Sequence, residues 1–284
     1  MSSIIELFGR STWQEGVDWP AVVAAQQCQY LGKRCYKVRK SDATTAIGTC
    51  TALFGRDQKP VMICPTRLLE RKQIFTDCLH LLTLREPGNE LHIVPEVSIP
   101  GGNVDFVLVA AQNGRVKDFV GIELQTMDTT GSIWPERQRR LKELGVPRFD
   151  EAENDYKPVG INWKHTAKTI LMQMHHKVRT FEHLNRKLVL VMQDHLLNYM
   201  SGEFRFGHLH NPAVLGDSMH FHAYRMDRQA DQSFKLAFDR RLSTDEAGIS
   251  VALGLQAEAR IEFEQIVGVI EAKMRVLDTL FQVV

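Results

Sequence analysis

The sequence has no apolar run of membrane-spanning length, which excludes an ordinary transmembrane helix. Its opening residues, MSSIIELFGRSTW, lack the basic start and long apolar middle of a secretory signal, so a cytoplasmic location is expected. Internal repeats and low-complexity tracts are absent, which argues against a solenoid or a compositionally biased linker. Charge of one sign is also lacking. Thirty-five lysines and arginines meet 34 acids, for a net charge of +1, so binding of nucleic acid has to rest on local patches. Cysteine is scarce, with five in 284 residues, but four of them crowd into one short stretch.

What is present suits one or two globular domains with a sizeable core. Hydrophobic residues make up 44% and charged residues 24% of the chain. The crowded cysteines are spaced Cys28-x6-Cys35-x14-Cys50-x13-Cys64. In a reducing compartment such clusters serve as metal ligands more often than as disulfides. Four thiolates can close a tetrahedral site around zinc or iron and order a loop-rich segment. Lys33, Arg34, Lys37 and Lys40 would offset their charge. The competing reading is a set of buried thiols acting as small apolar side chains. Cys78, inside the apolar run 66–84, is expected to be such a thiol.

Patterning along the chain alternates between helix and strand. DWPAVVAAQQC predicts a short helix, with Asp18 as N-cap and Pro20 in the first turn. TRLLERKQIFTDCLHLLTL predicts one continuous helix. ELHIVPEV, NVDFVLVAA and DFVGIELQT read as three successive strands, the last two joined by the Asn-Gly hairpin signal in AQNGR. Residues 128–160 read as a long loop with a short helix. Ala167, Ile170, Leu171, Met174, Val178 and Phe181 form one apolar stripe on a helix over 162–184. KLVLVMQ is a strand, SMHFHAYRMD and SFKLAFDRRL a strand pair, and the chain closes on a long amphipathic helix. The class is α/β or α+β around a central sheet.

Glu96, Asp105 and Glu123 fall in the three successive strands, and Asp105 and Glu123 stand among apolar neighbours. A carboxylate in a half-buried strand has to be paired or bind a cation. Two or three converging carboxylates suit Mg²⁺, which can activate water and steady a phosphodiester under attack. Gln125 shares the face of Glu123, one side-chain repeat along. The alternative is a set of ordinary outward-facing polar residues. The His-x-His pairs 208–210 and 220–222 are expected on a surface or DNA-facing strand rather than at a second metal.

Taken together, AIGTC, VMICPTR, VDFVLV and FVGIELQTMDTTGS resemble the NotI-like type II restriction endonucleases, over about residues 20–195. That resemblance implies a PD-(D/E)XK nuclease core, a central mixed sheet flanked by helices, preceded by a four-cysteine metal-binding segment. It implies a division into an N-terminal region, 1–85, and a catalytic and DNA-binding region, 86–284. Asp105 and Glu123 would hold Mg²⁺ with the Leu124 carbonyl, Gln125 would stand where most such nucleases carry lysine, and Glu96 would be an additional acid. Cys28, Cys35, Cys50 and Cys64 would hold structural iron, or zinc as a substitute. The implied activity is hydrolysis of double-stranded DNA at a GC-rich palindrome by a homodimer, with a DNA methyltransferase as functional counterpart. A non-catalytic, metal-stabilised DNA-binding protein with a decayed site is the alternative, since glutamine replaces lysine.

Two basic segments are expected to grip DNA. One is IWPERQRRLKELGVPR, with Arg137, Arg139, Arg140, Lys142 and Arg148. The other is 162–187, which has four lysines, two arginines and four histidines against one acid. There Lys164, Lys168, His175 and Arg179 lie along one helical edge, where they could track phosphates. A solvated helix face is the alternative.

Overall fold

A computed structural model describes residues 3–146 and 159–255, together with Val267 and Ile270. The N-terminal part contains Ile4–Leu7 (β1), Arg10–Ser11 (β2), helix Trp19–Ala25 (α1), and the short strands Gln27–Cys28 (β3), Lys33–Arg34 (β4), Val38–Arg39 (β5) and Asp42–Ala46 (β6). Thr49–Phe54 (β7) and Lys59–Met62 (β8) complete a small sheet in the order β2-β1-β7-β8. Asp18 caps α1 as expected, its carboxylate accepting from the Ala21 N–H.

The chain then runs through a 3₁₀ segment, Pro65–Lys72, into helix Gln73–Cys78 (α2) and a second 3₁₀ turn, Leu79–Leu81. The single helix expected over 66–84 is therefore broken. Arg71 and Lys72 both have positive φ, and Glu70 is extended at ψ 123°. Tertiary bonds explain the break. Arg67, wholly buried, donates from Nε to Glu6 (2.9 Å), from Nη1 to Glu70 (2.7 Å) and from Nη2 to the Phe234 carbonyl (3.0 Å). Glu70 also accepts from the Leu236 N–H. Meeting a buried guanidinium outweighs local helix preference, because an unpaired buried charge is far costlier than a turn of helix.

The remaining strands are Glu90–Ile99 (β9), Gly102–Gln112 (β10), Arg115–Gln125 (β11), Thr129–Thr130 (β12), Gly160–Ile161 (β13), Lys187–Gln193 (β14), Met219–Arg228 (β15) and Phe234–Thr244 (β16). The helices are Trp134–Glu143 (α3), Trp163–His183 (α4), Asp194–Glu203 (α5) and Glu246–Leu253 (α6). Six strands form a mixed sheet in the order β16-β15-β14-β11-β10-β9. β11, β14 and β15 run parallel, and the outer pairs are antiparallel. The β10–β11 turn carries Asn113 and Gly114, both at positive φ, the geometry that an Asn-Gly hairpin adopts.

The sheet's two-residue period divides the core. Val107 and Val109 of β10, with Leu188, Leu190 and Met192 of β14, pack beneath the helical layer of α4, α5 and α6. Their neighbours Leu108, Ala110, Val189 and Val191 face the segment 65–82. All six apolar residues expected on the inner stripe of α4 are buried. Gln193, at the end of β14, ties the small sheet to the large one. Its side chain accepts from the Met62 N–H (2.8 Å) and donates to the Pro60 carbonyl (2.7 Å). Residues 61–82 thus share the cores of the large sheet, across the expected 85/86 boundary.

His220 and His222 depart from expectation. Both are buried, at 1% and 0% exposure, because β15 lies inside the sheet with both faces covered. The expected C-terminal helix falls outside the described residues, apart from helical Val267 and Ile270. Among the described residues, no helix is long and apolar enough to cross a membrane.

Candidate active site

β9, β10 and β11 set three acids in a row. The pairs Val97↔Val104 and Pro95↔Phe106 flank Glu96 and Asp105, which places these two opposite each other. On the other side Phe106 pairs with Ile122, so Glu123 follows opposite Asp105. Glu123 in turn pairs with Leu190 of β14, whose side chain faces α4. Asp105 and Glu123 therefore lie on the α4 side of the sheet.

Asp105 is tied to the main chain beside Glu123. Asp105, exposed, accepts the Leu124 N–H on Oδ2 at 2.8 Å. Glu123 is 5% exposed and receives Lys177 Nζ on Oε1 at 2.6 Å. Burial pushes the Glu123 carboxyl up to about 7, reinforced by the charge of Asp105 and partly offset by the Lys177 hydrogen bond. Gln125 is half-buried on the same side as Glu123, with its amide nitrogen donating to the Thr126 carbonyl. Glu96 is exposed and held at φ +53°, a left-handed conformation uncommon for a residue with a β-carbon.

The position of α4 depends on two glycines. A β-carbon on Gly121 would collide with the Phe181 ring, so the bare backbone lets the helix settle onto β11. Gly101, in the β9–β10 turn at φ +98°, lies so close that a β-carbon would come within 2.8 Å of the His176 carbonyl oxygen. Phe181 and Lys177 are one helical turn apart, and Gly121 and Glu123 one strand repeat apart. Seating Phe181 over Gly121 thus brings Lys177 to Glu123. The sequence reading missed Lys177 as a site residue. The signal was available: it is a lysine between Met174 and Phe181, on the apolar face of the helix.

The four cysteines Cys28, Cys35, Cys50 and Cys64 are all buried and unpaired by disulfides. Their charges act on one another. Cys64 and Cys35 raise the Cys28 thiol further after burial has done so, and Cys50 is hydrogen-bonded to Cys64. The bond from Cys50, with help from the Lys37 ammonium and against burial, pulls Cys64 down to about 5. Cys78 is fully buried, as expected, and its thiol is pushed up by burial. Among the described residues, no group of three or more histidine, cysteine, aspartate or glutamate side chains is arranged to hold a metal ion.

The basic residues separate into different environments. Arg137 is 3% exposed and turned inward, donating to the Ile47 and Ala46 carbonyls and stacking on Trp134. It fastens α3 to the cysteine segment instead of facing DNA, because its donors are committed to buried main chain. Arg140 donates to the Thr12 carbonyl and pairs with Glu143. Arg139 pairs with Glu136, while Lys142 is exposed. Lys164 and Lys168 are exposed on α4, the former 3.3 Å from Glu203. His175 bonds Ser250 and lies 3.1 Å from Glu246, so it anchors α6. Arg148 lies outside the described residues. A cleft of about 600 Å³ runs between the cysteine segment and the chain beyond Gln125, lined by Lys37, Arg39, Lys40, Asp128 and Thr129 among others.

A family model described as restriction endonuclease NotI matches residues 32–236, which takes in the cysteine segment from Cys35 onward and the whole acid row. No curated protein and no solved structure matches the chain.

Proposed function

The chain belongs to the NotI restriction endonuclease family, and on that premise we propose that Asp105 and Glu123 form the nuclease site of a PD-(D/E)XK core that cuts double-stranded DNA with Mg²⁺. Membership makes the protein a type II restriction endonuclease, a site-specific deoxyribonuclease. The observation that carries the site assignment is the Asp105–Leu124 hydrogen bond, which holds an exposed acid beside a buried one on adjacent strands.

The donor set suits Mg²⁺. This ion takes one or two carboxylates and fills the rest of its octahedron with water and phosphate oxygens. Both carboxylates keep lone pairs beyond those used by the Leu124 N–H and by Lys177. The Leu124 carbonyl is the third proposed ligand, and Glu96 the additional acid. When bound, Mg²⁺ supplies positive charge that favours deprotonated water and neutralises the scissile phosphate. The chain's own residues do the rest. The Leu124 N–H fixes the Asp105 carboxylate, Lys177 fixes that of Glu123, and Gln125 orients water or phosphate through its amide oxygen, being unable to act as a cation.

In the same reading Cys28, Cys35, Cys50 and Cys64 hold iron, or zinc as a substitute. The donor chemistry fits in number and burial, although the thiols do not form a closed site as they stand. Residues 1–85 would then be the metal-bearing region and 86–284 the catalytic region. Arg139, Arg140, Lys142, Lys164 and Lys168 are the proposed phosphate contacts. A GC-rich palindrome is the proposed target, cut by a symmetric homodimer because two strands call for two sites. A DNA methyltransferase is the expected counterpart that protects the same sequence.

Incubation with long mixed-sequence DNA and Mg²⁺ tests the reading. Discrete fragments are expected, and sequencing their ends gives the site. A smear would mean cutting of low specificity, and a shifted but intact band would mean a non-catalytic binder.

A further inference from the structure

The site as proposed has a deficit of positive charge. In that reading Gln125 occupies the position from which a lysine would reach the phosphate, and its uncharged amide nitrogen donates to the Thr126 carbonyl. Lys177 stands across from it. It is the lysine on the inner face of α4, 7% exposed, with Nζ 2.6 Å from Glu123 Oε1. Its stem runs beside Gly102, where a β-carbon would come within 3.4 Å of Lys177 Cε.

Two kinds of buried ion pair occur in this protein, and Lys177 belongs to the less saturated kind. Arg67 commits all three of its guanidinium nitrogens, to Glu6, Glu70 and the Phe234 carbonyl, and is wholly buried. Among the described residues Lys177 makes a single hydrogen bond, although an ammonium carries three donors. The acid it contacts is the one beside the exposed Asp105, at the edge of the buried region rather than deep within it.

We infer that Lys177 is a catalytic residue of this nuclease, an ammonium delivered from helix α4 that contacts the scissile phosphate in place of the lysine missing at position 125. The inference rests on the site proposed above. In the hydrolysis the oxygen of water bonds to phosphorus, one ester P–O bond breaks, and the departing sugar oxygen gains, in net terms, the proton that water gives up. Lys177 keeps its own proton throughout. One donor holds Glu123, and a second stabilises the charge that builds on a non-bridging phosphate oxygen.

The test moves the lysine. Lys177→Met is expected to lower kcat for DNA cleavage by about 100-fold or more, with DNA affinity, read by mobility shift in Ca²⁺, changed by less than about threefold. Adding Gln125→Lys to that variant places an ammonium on the same face of β11 as Glu123, and is expected to recover at least about tenfold in kcat. A lysine that merely neutralised Glu123 would behave differently. Its loss would tighten Ca²⁺ binding in calorimetry, and saturating Mg²⁺ would return kcat to the parental value; that result overturns the inference. Should Lys177→Met fail to fold, the double variant and Lys177→Arg retain a positive charge, and a folded double variant without recovered cleavage also overturns it. A parental protein that does not cleave removes the site reading itself. A parental protein that cleaves, with Lys177→Met cutting as fast, removes only the role of Lys177.

Discussion

Asp105 and Glu123 sit on strands of 11 residues each, paired along their length inside a six-stranded sheet. The four cysteines sit on shorter elements: Cys28 pairs with Lys33 on strands of two residues, and Cys50 lies on a strand of six. The first region is held by ladder hydrogen bonds and by apolar packing on both faces. The second has a smaller sheet and a separate core, in which Cys28 and Cys35 pack with Ile4, Leu7, Phe8, Trp19 and Ala52, and it adds side-chain ties such as Arg137 to the Ile47 and Ala46 carbonyls and Lys37 to the Ile63 carbonyl. The difference teaches how each site uses its surroundings. A site that must hold two acids near each other without metal needs a rigid frame. A segment that holds a metal, as proposed for the four cysteines, would draw further order from the ligand bonds, since binding free energy becomes folding free energy.

The sharpest way to break this comparison is to remove one group from each region. Glu123→Gln, which keeps an acceptor for the buried Lys177 ammonium, is expected to lower cleavage by about 10²–10³-fold or more, while the sheet stays folded. Cys64→Ser is expected to do the reverse in kind: loss of iron or zinc by elemental analysis, and rapid proteolysis within 28–64, while the sheet survives. If both variants lost only activity, the two regions would not differ in the way argued.

A change at the joint between the regions comes next. Arg67 links β1 to the start of β16, and Arg67→Met leaves Glu6 buried without its partner. Breaking a buried pair costs about 3–5 kcal/mol, so denaturant melts should show that loss. A cost below about 1 kcal/mol would mean the pair is only ornamental.

The pH dependence of the acid row is smaller. With the Glu123 carboxyl raised to about 7, the proton stays on below that pH and competes with a divalent ion. Affinity for Ca²⁺, measured by calorimetry, should therefore fall about tenfold per pH unit below 7 and level off above it. Equal affinity at pH 6 and pH 8 would show that Glu123 does not bind the ion. The smallest effect is expected at the helix surface. Lys168→Ala should reduce the salt slope of DNA binding by about one, leaving site preference intact.

Much of the large sheet was legible in the sequence, because its signals are local. Asn113-Gly114 dictates a hairpin, VDFVLV and VGIEL mark strands with one intruding acid, and the α4 stripe repeats at helical spacing. The break at Arg71–Lys72 was not legible, since it answers to Glu6 and Phe234, far away in sequence. Nor was the inward turn of Arg137, which reads like any arginine in a basic run until its carbonyl partners are in place. The burial of His220 and His222 depends on β15 being flanked on both sides, a property of strand order.

By itself the sequence determined the chemistry on offer: four thiols, an acid in each of three strands, and a glutamine on the same strand face as one of those acids. Those follow from residue identity and from the two-residue and 3.6-residue periods of strand and helix. Only the tertiary structure decided which groups meet. Gly121 admits Phe181, the helix settles one turn along, and Lys177 arrives at Glu123 from 54 residues away. No local pattern encodes such a meeting, because it depends on how closely two packed elements can approach.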